Sequence, residues 1–143
     1  MFSLFWIALL SATLLPGGSE VWLARQWCQG HTVLALWCVA TLGNTLGSLV
    51  NVALGRYARR FRHRRWFPAS PAQLDRAGRF YARFGAYSLL LSWVPIIGDP
   101  LTVVAGLLRL SWWRAIGLIV LAKGARYALV LAFAAQWLAP YCV

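Results

Sequence analysis

The chain has 143 residues, of which 61% are hydrophobic and 12% are charged, and its formal net charge is +11. A soluble domain has about 45–50% apolar and about 25% charged residues, so this composition excludes an ordinary soluble protein. It predicts a single membrane domain over residues 1–143. The positive charge does not indicate a nucleic-acid-binding protein, because six of the 14 basic residues lie in the single segment 56–65, directly after an apolar run.

The first apolar segment, residues 2–15, is too short to cross a bilayer. Its 14 residues make about 21 Å of helix, against a hydrocarbon core of about 30 Å. It ends in a proline and two glycines, and a second helical segment with Ser19 as its expected N-cap then follows. We interpret this as a re-entrant helical hairpin that turns at Pro16, Gly17 and Gly18. The alternative is one kinked span over residues 2–25.

Residues 32–55 are the first segment long and apolar enough to span a membrane. Small residues at Gly43, Gly47 and Gly55 favour close approach of a neighbouring helix. Asn44 and Asn51 are seven residues apart and so fall on one helix face, where their amides can bond the backbone of the hairpin.

A basic loop and a helix with one apolar face follow the first span. The helix is predicted from Ser70 as N-cap and Pro71 in the first turn, and it should lie at the membrane interface. The Arg-rich segment 56–65 should be cytoplasmic by the positive-inside rule, which leaves both termini in the periplasm.

The second half repeats the layout of the first. Residues 86–97 form a short apolar segment, a tight turn follows, and the second full span covers residues 115–139. Asp99 is the candidate cap of the returning helix, with Pro100 at its first position. The predicted turn residues are Pro95, Gly98 and Pro100.

This order of elements predicts an all-α membrane protein built as an inverted repeat. Each repeat has one re-entrant hairpin and one full transmembrane helix, so the second repeat begins on the opposite side of the membrane. Repeat 1 covers residues 1–56, the basic loop and the amphipathic interfacial helix cover 57–84, and repeat 2 covers 85–143.

Two of the three acidic residues, Glu20 and Asp99, fall at the predicted hairpin tips, and two bases, Lys123 and Arg126, fall inside the last span. Ionisable groups inside a membrane are costly and usually functional. The acids are therefore candidates for proton binding or gating, and the bases for binding an anionic headgroup. The alternatives are that the acids only cap the returning helices, and that the bases extend along the lipid to the interface.

No motif of a known catalytic site is present, so we expect no enzyme activity. The two histidines lie at opposite ends of a span, and three cysteines show no zinc-ligand spacing and are too few for a disulfide framework. We therefore expect neither a metal site nor a cofactor, and we interpret Cys38 as a packed thiol.

The segments SATLLPGGSEV, GNTLGSLVNVALGR and GAYSLLLSWVPIIGDPLTVVAGLLRLSW resemble the DedA superfamily of VTT, or SNARE-associated, membrane proteins, and above all its small YqaA-like branch. The resemblance covers about residues 4–127. It implies two facing membrane-inserted hairpins, lipid movement that includes recycling of polyprenyl phosphate, and dependence on the proton-motive force. The glycine–arginine pair that closes the family's first spanning motif matches Gly55 and Arg56.

Three positions depart from the larger bacterial members of that superfamily. An acid of the first hairpin is replaced by Gly18, and two arginines of the second hairpin are replaced by Ser92 and Gly98. If those arginines hold a lipid phosphate, this chain must hold it by other groups, for which Lys123, Arg126 and Arg56 are the candidates.

The sequence therefore predicts a bacterial inner-membrane lipid transporter of the flippase type. Its expected partners are membrane lipids, anionic ones or polyprenyl phosphate, together with protons and a second copy of the chain. The first alternative is a small-solute or ion transporter. The second is an assembly or integrity factor that transports nothing.

Overall fold

A computed structural model describes residues 1–12, 18–57, 70–94 and 97–142. All regular secondary structure in these ranges is helical. It comprises α1 (Phe2–Ser11), α2 (Gly18–Cys28), α3 (Val33–Tyr57), α4 (Pro71–Phe84), α5 (Gly98–Leu107) and α6 (Trp112–Trp137), with 3-10 helices at Gly85–Trp93 and Ala139–Tyr141. The all-α prediction is confirmed for these residues.

Helices α3 and α6 are the two described helices that are long and apolar enough to cross a membrane. They have 25 and 26 residues, or about 38 Å each. The bounds of these two helices agree with the predicted segments 32–55 and 115–139 to within three residues. Their outward faces carry large exposed apolar side chains, which a soluble surface would not gather in such numbers. These side chains include Leu42, Leu46, Val50, Leu121, Leu129 and Phe133.

Helices α1 and α2 form an antiparallel pair. The Trp22 indole N–H donates to the Ser3 hydroxyl at 3.3 Å, and the amino group of Met1 lies 3.4 Å from the Gln26 side-chain oxygen. The start of α1 therefore meets the end of α2, as in a helical hairpin and unlike a single kinked helix. The predicted turn residues Pro16 and Gly17 lie outside the described residues.

The second pair of short helices differs from the prediction in its first member. Residues Gly85–Trp93 form a 3-10 helix instead of an α-helix. A 3-10 helix rises about 2.0 Å per residue, so these nine residues reach about 18 Å, farther than an α-helix of the same length would. The chain then turns tightly, and the Gly98 N–H donates to the Val94 carbonyl at 2.8 Å. The predicted turn residue Pro95 lies outside the described residues.

Helix α4 begins as its sequence predicts. The Ser70 hydroxyl accepts from the Gln73 N–H at 3.2 Å, and the Gln73 side chain accepts from the Ser70 N–H at 2.9 Å. This capping box satisfies two backbone donors that the first turn leaves unpaired. Ala77 is the buried residue of α4, which packs on α5 and on the 3-10 helix that follows it. Of the basic segment 56–65, residues 58–65 lie outside the described residues.

The buried apolar residues form two main clusters. One surrounds α5 and includes Leu89, Leu101 and Ile119, and the other joins α1, α2, α3 and α6 through Leu4 and Leu36. Helix α3 contacts α1, α5 and α6 and is the central helix of the described structure. Both pairs of short helices are therefore held against α3 and α6.

Candidate functional site

Lys123 of α6 forms an ion pair with Asp99 of α5. The ammonium nitrogen lies 3.2 Å from the Asp99 Oδ1. The lysine side chain is 1% exposed and the aspartate side chain 22% exposed. The lysine side chain therefore points into the protein rather than along its surface.

Arg126 forms a second ion pair, with Glu20 of α2. Lys123 and Arg126 are three residues apart and share one face of α6. Each of the two hairpin acids thus pairs with a base on the same helix face. The structure brings together all four charged residues that the sequence proposed, as two pairs rather than as one free cationic site.

Tyr127 and Ser19 extend the second pair. The Tyr127 hydroxyl donates to the Ser19 Oγ at 2.8 Å, and the Ser19 hydroxyl lies 3.4 Å from the Glu20 Oε2. Tyr127 is completely buried. We did not predict Tyr127 as a site residue from the sequence, although its position four residues after Lys123 places it on the same helix face.

Neither of the N-caps predicted in the two hairpins, Ser19 and Asp99, forms. Helix α2 begins at Gly18, so Ser19 lies inside its first turn and its hydroxyl contacts Tyr127. Helix α5 begins at Gly98, one residue before Asp99, and has no side-chain cap. The interpretation of Asp99 as a cap is therefore wrong, because its carboxylate is turned towards Lys123. Pro100 follows it in the first turn and is buried.

Asn44 and Asn51 bond the backbone of the first hairpin, as predicted. The Asn44 amide nitrogen donates to the Ala8 carbonyl and to the Ser11 hydroxyl, each at 2.9 Å. The Asn51 amide nitrogen donates to the Ala12 carbonyl at 2.8 Å. The Ala8 carbonyl also accepts from the Ser11 hydroxyl at 2.9 Å. The Ala12 carbonyl lies at the end of α1, where carbonyls have no partner within the helix, and the Asn51 amide satisfies it.

The predicted packing glycines lie where two backbones come close. Gly43 and Gly47 face the carbonyls of Phe5 and Leu9 in α1. Gly55 faces the Val103 carbonyl of α5, and Gly106 of α5 faces the Val52 carbonyl of α3. Gly98 at the second hairpin faces the Ser92 carbonyl. Gly18, by contrast, has open space around it and is not needed for close packing.

Arg56 does not join the other candidate headgroup ligands. It donates to the Leu110 carbonyl at 3.1 Å, and its guanidinium lies 5.6 Å from the centre of the Trp112 ring. Trp112 begins α6, eleven residues before Lys123, which is about 16 Å along the helix. Arg56 thus stabilises the connection between α5 and α6.

Cys28 and Cys142 form a disulfide that joins the end of α2 to the segment after α6, 114 residues later in the sequence. From the sequence we expected no disulfide framework, and we did not predict this single bridge. The predicted topology indicates this pairing, since it places both cysteines on the outer side of the membrane.

Cys38 is a free thiol and is partly buried. Within the described ranges, no three histidine, cysteine or acidic side chains cluster as metal ligands would.

Comparison with known proteins identifies the family. The VTT domain model matches residues 15–136, most of the chain. The chain belongs to the VTT-domain family, the DedA superfamily. The inner membrane protein YqaA of Escherichia coli is 43% identical over 139 residues, which cover 95% of this chain and 92% of that protein. A Haemophilus influenzae protein is 37% identical over 136 residues, which cover 90% of this chain and 83% of that relative.

The VTT-domain match contains all four charged residues of the two ion pairs, from Glu20 to Arg126. No solved structure matches the chain significantly.

Proposed function

We propose that this VTT-domain protein is a proton-coupled transporter of the bacterial inner membrane that moves an anionic lipid between the leaflets. The observation that carries the proposal is the pairing of Asp99 and Glu20, one acid from each hairpin, with Lys123 and Arg126 on a single face of α6. We assign it no catalytic activity and no cofactor.

The proposed location is supported by several observations. The E. coli relative is named an inner membrane protein, and α3 and α6 are long enough to span a bilayer. The Cys28–Cys142 disulfide supports a periplasmic position for the end of α2 and the C-terminal segment, because disulfides form in the bacterial periplasm and rarely in the cytoplasm. The basic segment 56–65 is then cytoplasmic.

The two hairpins are proposed to be re-entrant and inverted relative to each other. Helix α1 has 10 residues, about 15 Å, and its last carbonyls are bonded by Asn44 and Asn51 of α3. Backbone ends inside a membrane are tolerated where protein surrounds them in this way. This supports a helix that ends within the bilayer rather than crossing it.

In the proposed mechanism the acids and the lipid compete for the same two cations. With Asp99 and Glu20 ionised, both bases are neutralised by their partners. A proton taken up by either carboxylate removes its negative charge and leaves Lys123 or Arg126 able to bind a headgroup phosphate, for which arginine is especially suited. Headgroup binding therefore accompanies proton uptake, and headgroup release accompanies proton loss.

A second copy of the chain is proposed to complete the path of the lipid headgroup, because two full spans are too few to surround a headgroup. The acyl chains would remain in the surrounding lipid. Polyprenyl phosphate and phosphatidylglycerol both carry the phosphate that this site is proposed to bind.

The test is transport in liposomes of fluorescent phosphatidylglycerol and, separately, of fluorescent phosphatidylcholine, with and without a pH gradient. We expect the anionic lipid to move faster, to respond to the gradient, and to lose that response in a Glu20→Gln/Asp99→Asn variant. The matched control is Asp75→Asn, which changes the third acidic residue, an exposed position on α4. No movement of any lipid under any gradient would overturn the proposal.

The same experiment separates the two alternatives. If ions or small solutes move while lipids do not, the chain is a small-solute transporter. If the double variant is less stable than the original chain but no transport differs between them, the acids have only a structural role, and an assembly factor is the better description.

A further inference from the structure

Helix α3 carries a row of buried polar side chains that the ion pairs do not use. Thr41, Asn44, Thr45, Ser48 and Asn51 repeat at intervals of three or four residues, so they share one helix face, and each is at most 5% exposed. The row runs from residue 41 to residue 51, or about 15 Å, through the middle of α3. We call it the polar row.

Every residue of the polar row has an oxygen with no hydrogen-bond partner among the described residues. These atoms are the three hydroxyl oxygens and the amide oxygens of Asn44 and Asn51. The amide nitrogens of both asparagines donate to the first hairpin, at the Ala8 and Ala12 carbonyls. The amide oxygen of each side chain therefore does not take part in those bonds. Serine and threonine hydroxyls in a helix can donate back to their own backbone, but these three do not.

Two more unpartnered hydroxyls lie on the 3-10 helix, at Ser88 and Ser92, and both are 1% exposed. Both α3 and the 3-10 helix pack on α6, which carries Lys123. The Thr41 methyl group faces Gly124, the residue after Lys123, and the Ser92 backbone faces Gly98, the residue before Asp99. Thr41 and Ser92 therefore lie next to the neighbours of the two paired residues.

The chemistry of these oxygens favours one ligand class. Buried polar groups are almost always hydrogen-bonded, and water is the usual partner where protein supplies none. The row offers hydroxyls, which donate and accept, next to amide oxygens, which only accept. It carries no net charge, so it has no preference for an anion. A water molecule needs two to four such polar partners, and neighbouring residues of the row offer them.

We propose that the polar row, with Ser88 and Ser92, binds water molecules in the middle of the protein, on elements that pack on α6 beside Lys123. This inference concerns where water binds and stands apart from transport. A protein that moves no lipid could hold the same waters, and a transporter could take up protons by another path.

Water-edited solid-state NMR of the wild-type protein in liposomes tests the proposal, since it measures how fast magnetisation passes from water to each side chain. We expect the initial transfer to Thr41, Thr45 and Ser48 to be several-fold faster than to Leu36 and Ile119. The two controls are completely buried in the two apolar clusters. Transfer to the row as slow as to these controls would overturn the proposal, whatever the result of the transport assay.

Discussion

The Lys123 ammonium group lies 3.2 Å from an Asp99 carboxylate oxygen, and the lysine side chain is only 1% exposed. Asp99 is in the first turn of α5 and Lys123 is near the middle of α6. The pair thus joins the second hairpin to a spanning helix. Removing one partner of a buried ion pair leaves the other charge uncompensated, which is far more costly than replacing both.

We expect Asp99→Asn to lower the free energy of unfolding by about 3–5 kcal/mol, because the buried ammonium then has no anionic partner. The double variant Asp99→Asn/Lys123→Met should recover most of that loss. Unfolding in mixed detergent micelles gives the four free energies of a double-mutant cycle. If the double variant loses the sum of the two single losses, the pair makes no direct coupling. Asp75→Asn, at an exposed position on α4, should change stability by less than about 0.5 kcal/mol.

The crossing of α3 and α5 requires glycine on both helices. A Cβ at Gly55 would overlap the Val103 carbonyl, and a Cβ at Gly106 would overlap the Val52 carbonyl. We expect Gly55→Ala and Gly106→Ala each to lower stability by about 1–3 kcal/mol, since backbone must move to admit the methyl group.

Gly117 of α6 is the matched control for both substitutions. A Cβ there meets nothing within 4 Å. Gly117→Ala should therefore raise stability by up to about 1 kcal/mol through its higher helix propensity. Thermal unfolding of the three variants in one detergent makes the comparison. Equal effects at Gly55, Gly106 and Gly117 would contradict the close approach of the two helices.

The Cys28–Cys142 bridge should be present in cells if the ends it joins are periplasmic. A thiol-reactive polymer added to denatured protein should then modify one cysteine, Cys38, before reduction and three after it. The shift on a gel counts the modified residues. Three reactive thiols without reductant would place both cysteines in the cytoplasm and reverse the proposed orientation. We expect Cys142→Ser to lower stability by about 2–5 kcal/mol.

Much of the architecture follows from the sequence because spanning helices are specified by length and apolarity alone. Both spans, the Ser70 cap of α4 and the contact of Asn44 and Asn51 with the first hairpin were predicted on such local grounds. Amides on one face of a membrane helix have few possible hydrogen-bond partners other than backbone groups, so backbone carbonyls are the expected acceptors.

The pairing of the charges could not be predicted from local patterns. Two acids and two bases can pair in two ways. Which pairs form depends on the position of each hairpin along the axis of α6. The two hairpin N-caps also fail, since α2 starts at Gly18 and α5 at Gly98, one residue before the expected caps, and the side chains of Ser19 and Asp99 bond to α6. The disulfide joins residues 114 positions apart, so no local pattern reveals it, and only the predicted topology, with both cysteines on the outer side, indicates the pairing.

The asparagines of α3 should stabilise the end of α1 more than any other part of the protein. Asn51→Leu removes the donor to the Ala12 carbonyl and keeps a side chain of similar size, so a buried acceptor loses its partner. We expect a loss of about 1–3 kcal/mol, together with faster amide hydrogen exchange in the last turn of α1. Leu46→Val, on the outward face of the same helix, should change neither quantity by more than about 0.5 kcal/mol. Exchange in α1 that stays as slow as in the unsubstituted protein would mean that α1 ends without support from α3, and the proposal of a hairpin ending within the bilayer would lose its main structural argument.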